Sequence, residues 1–440
     1  MTLTAKVLWA MLLGIIVGLV INMTGLNAEG TFTHEYVVGG LFYVVGKMFI
    51  TALKMLVVPL VFFSLISGVF GIGDISKLGK VGAKSFVLYL ITTALSIAMA
   101  IGLAAIIIPF FNTAHANTSN FVGKEAPPLT DVLINIIPSN VIDAFASGNM
   151  LQIIFFTILL GISLLMVGNK AKSIVEGVEI MNEAMMNMVN IIMAVAPYAV
   201  FALLAKAIAE LGFDLLSQLF VYVFVVIAAL LLHLFGTLMI LLKLLSKLSP
   251  KIFLTKIRDA QIFAFSTASS NATIPVTLRS VTKRMGVDNS VASFTVPFGA
   301  TINMDGTAIM QGVATVFIAN VYGVDLGLGG YLTVILMSVL ASIGTAGVPG
   351  VGLIMLSMVF VQVGLPVEGI GLILGVDRLL DMIRTSVNIT GDAVVTCVVA
   401  KSEDEINLDI FKDENAGLVE ELEIEDEATL ANVLHQVEES

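Results

Sequence analysis

Five residues near the C-terminal end carry chemistry that an apolar segment rarely holds without a purpose. They are Asp377, Asp381, Arg384, Asn388 and Asp392, in the stretch DRLLDMIRTSVNITGD, at spacings of 4, 3, 4 and 4. At about 100° per residue they share one helix stripe about 80° wide. Ionisable groups at membrane depth are expensive, so they face a partner, a cavity or a ligand. A carboxylate such as Asp381 can hold an ammonium. Arg384 can hold a carboxylate in a two-bond fork that lysine does not match, and Asn388 supplies both a donor and an acceptor. Together they suit a zwitterion with an extra carboxylate. The structural alternative is an internal ion-pair network that only ties helices together.

A second constellation, NMDGT at 303–307, interrupts an apolar helix. Its polar residues and Gly306 predict an unwound turn that exposes carbonyls. Those carbonyls, Asn303 and the carboxylates of Asp305 and Asp392 are hard oxygen ligands, suited to a small hard cation. A kink satisfied by neighbouring helices is the plainer reading. STASSNAT at 266–273 and SIGTAGVPGVG at 342–352 put hydroxyls and amides in two further interruptions. Helix N-termini there would favour a carboxylate, and the glycines of the second would let its tip hinge as a gate. Tyr89, Thr92 and Thr93 offer oxygens in an earlier apolar run, where threonine bonding back to its own helix suffices as an explanation. The four histidines show no cluster, and His233, in a Leu-rich run, reads as a packed side chain. No nucleophile has a base at a suggestive spacing, so an enzyme is not expected.

The elements that must position these groups are greasy. Of 440 residues, 58% are hydrophobic and 12% charged, with a mean hydropathy of +1.00. A soluble domain carries about twice that charged fraction. The composition predicts an all-α polytopic membrane protein embedded in a lipid bilayer, with no nucleic-acid partner. Runs long enough to span cover about 7–25, 38–70, 82–110, 150–168, 187–212 and 218–246. The first lacks a small-residue cleavage site and reads as a retained helix. A less apolar stretch at 130–149, with Pro138, reads as a broken or peripheral helix. The single cysteine, Cys397, excludes an internal disulfide. The net charge of -11 is concentrated in a tail: residues 403–440 hold 14 Asp and Glu against one Lys, while the rest has 21 Lys and Arg against 19 Asp and Glu. That tail reads as a solvated segment or a partner-binding helix.

Lysine clusters at 77–84, 170–172 and 243–258 fall in alternate connections. The positive-inside rule then puts both termini and these connections in the cytoplasm. Arg258 before the serines and Lys283 and Arg284 after them lie on one side, so 252–282 enters and returns as a re-entrant hairpin. SIGTAGVPG lacks nearby Lys and Arg and forms a second hairpin from the opposite side. Lys47, Lys54 and Lys206, inside apolar runs, snorkel or find structural partners.

Taken as a set, ASSNATIPVT, GATINMDGT, SIGTAGVPGVG and DMIRTSVNITGD resemble the glutamate/aspartate transporters, or dicarboxylate/amino acid:cation symporters, over about 5–402. The likeness extends to bacterial and archaeal sodium-coupled aspartate transporters. It implies a homotrimer in the plasma (inner) membrane with about eight transmembrane helices and two re-entrant hairpins, working as an elevator. Scaffold helices would occupy 1–80 and 128–215. A transport domain would combine helix 3 (81–112) with the core at 216–402, leaving an acidic cytoplasmic tail at 403–440. Within that core the hairpins fall at about 251–285 and 329–364, and helices 7 and 8 at about 289–322 and 365–402.

By position, the resemblance assigns Asp381 to a substrate α-amino group and Arg384 to its side-chain carboxylate. Asn388, Thr307 and Ser270 would contact the α-carboxylate region, with Val348 and Gly352 contributed by the gate and Asn271 and Thr385 also in the substrate site. Co-transported sodium ions would use Gly299, Asn303, Asn388 and Asp392; Thr301, Ser342, Ile343 and Thr345; and Tyr89, Thr92, Thr93, Asn303 and Asp305. The implied activity is import of L-aspartate or L-glutamate with sodium. A neutral amino acid, cystine, a C4-dicarboxylate or proton coupling are the alternatives. The chain departs from the family at Asn271, where a serine is usual. It also departs at Ala268 and Met382, either of which is often arginine. Gln311 stands where proton-coupled relatives resemble one another in having glutamate, and an amide cannot carry that proton.

Overall fold

The computed structural model describes residues 3–71, 75–111, 134, 136–343, 347 and 349–417. Among them the chain is helical throughout, apart from one bridge between Val287 and Ile406. Lipid offers no hydrogen bonds to a bare backbone, so helices that bond internally are the structures a chain this apolar can place there.

The first half contains α1 (Leu3–Met23), α2 (Tyr43–Gly71), α3 (Ile75–Phe111), the short α4 (Val141–Ser147), α5 (Met150–Val167), α6 (Lys172–Ala194) and α7 (Ala196–Leu211). Asn140 starts α4 by accepting from the Ile142 and Asp143 amides, the usual work of an N-cap. Next come α8 (Phe213–Leu232), a π-helical turn (His233–Thr237) and α9 (Leu238–Ser246). The second half is finer grained: α10 (Pro250–Thr267), α11 (Ser270–Arg279), α12 (Asn289–Ile302), α13 (Asp305–Val321), α14 (Gly327–Ile343), α15 (Val351–Gln362) and α16 (Ile370–Ser402), followed by α17 (Leu408–Lys412).

Five helical stretches among the described residues are long and apolar enough to cross a membrane: Ala5–Met23, Thr33–Ser67, Lys80–Phe110, Gln152–Ala194 and Ser217–Ser246. Their outer faces expose large apolar side chains, such as Trp9, Ile16, Phe220 and Phe224. Contiguous exposed surface of this kind marks contact with lipid or another protein.

The inner core is built around α16, which packs against α10, α12, α13 and α8. From Val387 to Ala400 all its residues are buried. Lys47 and Lys206 take the paired reading: Lys47 bonds Glu368 in the turn before α16, and Lys206 bonds Glu210 on its own helix. The side chain of Lys54 lies outside the described residues. After α16 the chain turns back on the core. Asp288 and Asn407 amides donate to Glu405 and Gly286 carbonyls at 2.9 and 2.7 Å, and Lys256 donates to the carbonyls of Ile410 and Asp413 at 2.7 and 2.8 Å. Residues 403–413 thus lie against the base of the α10–α11 pair.

Candidate functional site

The helix breaks where NMDGT predicts it. α12 stops at Ile302, Asn303 and Met304 leave the helical region, and α13 begins at Asp305. Two other helix pairs point their tips at this break. α10 and α11 meet at Ala268, whose φ of +50° is left-handed, and Ser269 caps α11 by accepting from the Ala272 amide. Gly347, between α14 and α15, meets this tip. Ser269 Oγ donates to the Gly347 carbonyl at 2.8 Å, and the Asn271 amide donates to the same oxygen at 3.1 Å. The two tips are therefore latched through one carbonyl, and Asn271 turns its side-chain oxygen toward Gly347.

One pole of the site is the charged stripe of α16. Arg384 is fully buried, with Nη1 donating to Asp377 at 2.6 Å and Nη2 to Asp381 at 2.8 Å. Its Nε finds no hydrogen-bond partner. The second Asp381 oxygen accepts from the Gly350 amide at 3.3 Å and lies 3.8 Å from Arg378. Thr385 bonds back to the Asp381 carbonyl. Thr307 and Gly352 close this pole: a Cβ built on Gly352 would meet the Thr307 methyl at 3.1 Å and Arg384 Nη2 at 3.8 Å. Backbone approach is also what Gly306 permits, since a Cβ there would strike the Arg384 carbonyl at 2.6 Å. Asn388 spends its oxygen on the Gly306 amide at 2.7 Å, fixing α13 against α16. A cavity of about 130 Å³ opens beside Asp377, Arg378 and Asp381, under Pro349, Gly350 and Met193. Ser270 is buried at the start of α11 and Asn271 is exposed; the Gly347 latch is made by Ser269 and Asn271, on either side of Ser270. Val348 lies outside the described residues.

The other pole gathers the oxygens assigned to cations. Asn303 Nδ2 donates to Asp392 at 2.9 Å, and Gly299 leaves room for that carboxylate, 2.6 Å from where its Cβ would sit. Thr92 donates to the Tyr89 carbonyl at 3.0 Å and lies 3.2 Å from Asn303 Oδ1, while Thr93 donates to Asp305 at 2.8 Å. The Tyr89 hydroxyl donates to the Thr295 carbonyl at 2.8 Å and borders Gly299. Thr92 thus bonds back to its own helix as expected while facing Asn303, and Thr93 reaches across to α13. Thr301 and Ser342 donate into their own helices, to Phe298 and Val339. Ile343 ends α14, and Thr345 lies outside the described residues.

Two partners escape the sequence reading, His233 and Arg378, and the pairing of Asp377 with Arg384 stays open there. His233 is fully buried and bonded to Asp305 at 3.0 Å, so it is more than packing. Asp377 belongs to Arg384, and Arg378 flanks Asp381. Sequence could have flagged His233 by its cost at membrane depth, though not its partner 72 residues away.

The family model described as "Sodium:dicarboxylate symporter family" matches residues 3–402. The "Proton/sodium-glutamate symport protein" of Bacillus caldotenax is 32% identical, over 91% of this chain and 95% of that protein. The "C4-dicarboxylate transport protein" of Bacillus subtilis (strain 168) is 34% identical, over 92% and 94%. The "Proton/glutamate-aspartate symporter" of Escherichia coli (strain K12) is 32% identical, over 90% and 92%. These are secondary transporters rather than enzymes, and the long apolar helices fit an integral membrane protein. The chain belongs to the sodium:dicarboxylate symporter family.

Proposed function

We propose that this protein imports L-aspartate or L-glutamate together with sodium. The observation that carries this reading is Arg384, a fully buried guanidinium with an unused Nε, whose two carboxylate partners line a cavity. A buried donor left unpaired costs about 1–3 kcal/mol, and a cargo carboxylate would relieve it. Asp381 would take the cargo ammonium in exchange for its bond to Gly350. Arg378 and Arg384 balance Asp377 and Asp381, so an acidic amino acid adds one uncompensated negative charge to a buried site. Cation binding offsets that charge, and each ligand then favours the other. The oxygens at Gly299, Asn303, Asn388 and Asp392, and those of Tyr89, Thr92, Thr93 and Asp305, suit sodium. A further site would use Thr301, Ser342, Ile343 and Thr345. Gln311, buried one turn beyond Thr307, supports sodium over protons as the driver.

In this reading α10–α11 and α14–α15 are re-entrant hairpins, α14–α15 being the gate. The assembly has about eight spanning helices per protomer, is a homotrimer in the plasma membrane, and keeps both termini and the acidic tail in the cytoplasm. The region at 81–112 and 216–402 would move as an elevator against 1–80 and 128–215, and the latched tips at Gly347 support a closed gate.

Thermal unfolding of the purified protein tests this. L-Aspartate and L-glutamate should stabilise it in sodium and not in choline; ligand at a hundred times its dissociation constant adds about 2.7 kcal/mol. Equal stabilisation by succinate would favour a C4-dicarboxylate cargo, and stabilisation without sodium would remove the coupling.

A further inference from the structure

His233 is the buried ionisable group that the transport reading leaves without a task. It is fully buried, as is Asp305, and its Nε2 lies 3.0 Å from Asp305 Oδ2. With its hydrogen on Nε2 the ring donates to that oxygen. The other Asp305 oxygen accepts from Thr93 at 2.8 Å, and the Asp305 carbonyl accepts from Ser96 at 3.3 Å. The carboxylate is thus gripped from two sides, by α3 and by the helix that follows α8. His233 is also the first residue of the π-helical turn His233–Thr237. Such a turn inserts an extra residue into the helix and is frequently found at functional sites.

We propose that His233 is a positioning residue for cation binding: it fixes the Asp305 carboxylate so that the remaining lone pairs point at the ion beside Asn303. This rests on the sodium-coupled reading above. A carboxylate ligand held by one bond can rotate, whereas one held through both oxygens presents its free lone pairs in fixed directions. The partners that orient a ligand are commonly worth about 10–100-fold in ion affinity.

The test is the sodium response of the full-length protein with His233→Leu and His233→Gln. Leucine removes the donor and keeps the bulk; glutamine returns an N–H at similar reach. Sodium alone is titrated against thermal stability in detergent. In proteoliposomes, L-aspartate uptake is measured against sodium, and its KM at saturating sodium. His233→Leu should raise the half-saturating sodium about tenfold or more, with aspartate KM at saturating sodium unchanged, and His233→Gln should recover most of the loss. If the leucine variant does not fold, His233→Asn, polar but too short to reach Asp305, should show the same sodium defect. Equal losses in the leucine and glutamine variants would make His233 a structural residue only and overturn the proposal. A sodium response unchanged in His233→Leu overturns this role alone, whereas a wild type indifferent to sodium overturns the coupled reading with it.

Discussion

The two poles of the site lie on one helix, with Asp381 and Asp392 about 16 Å apart along α16 at about 1.5 Å per residue, yet they are built in opposite ways. At the charged pole the ion pairs stay on α16, among Asp377, Arg378, Asp381 and Arg384, and other elements contribute mainly the Gly350 amide and the space beside Gly352. One guanidinium donor is left over and a cavity adjoins. At the oxygen pole, Asp392 and Asp305 are held by side chains from α3, the π-helical turn and the α12–α13 break. On the proposed reading, the first arrangement would stay neutral as the neighbouring hairpin moves and would offer its spare donor to an incoming carboxylate. The second depends on helices staying in register, which suits a small ion whose ligands must not drift.

The sharpest way to break this contrast is Arg384→Cys. It strands Asp377 and Asp381, and removing one partner of a buried pair costs about 3–5 kcal/mol. Uptake of acidic amino acids should fall by about two orders of magnitude or more, with neutral amino acids becoming competitors. Unchanged aspartate uptake would sink the side-chain assignment. Asp392→Asn should act on the opposite pole, raising the sodium needed for half-maximal uptake about tenfold or more while the order of preferred cargoes stays the same. A changed cargo order with intact sodium dependence would show that the cation cluster is misplaced.

A subtler effect is expected from Asp377→Asn. Losing this partner should lower stability by about 1–3 kcal/mol without cargo. Saturating aspartate in sodium should then restore more stability than it adds to the wild type, because its carboxylate takes the vacated place; equal gains would deny that Asp377 and cargo share Arg384. The smallest effect concerns the latch. Ala268 sits at φ +50°, a conformation that costs a residue with a Cβ about 1 kcal/mol. Ala268→Gly should raise the melting temperature slightly and leave cargo selectivity alone; a lower melting temperature would mean that the alanine methyl packs usefully at the tip.

The same contrast explains what the sequence disclosed. Pairs within one helix obey its period, so the α16 stripe and the broken helix at Asn303 were legible from spacing alone. So was the polar character of the tips. Even there, spacing put Asp381 and Arg384 on one face without revealing that they bond each other and Asp377. Pairs between helices have no such period. His233 and Asp305 are brought together by how α8, α13 and α3 pack, and nothing near His233 in the chain announces an aspartate. Threonines 92 and 93 were ambiguous for that reason: a hydroxyl in a helix bonds back to its own turn unless a neighbour supplies a better acceptor. The docking of residues 403–413 onto Lys256 was hidden as well, because its partners are backbone carbonyls, which leave no mark in the sequence.

The central claim, that an acidic amino acid and sodium share this site, is tested most directly by uptake of radiolabelled L-aspartate into proteoliposomes under an inward sodium gradient, or under an equal proton or potassium gradient. Accumulation with sodium alone is the predicted result. Accumulation driven by protons without sodium, or none under any gradient, would contradict it.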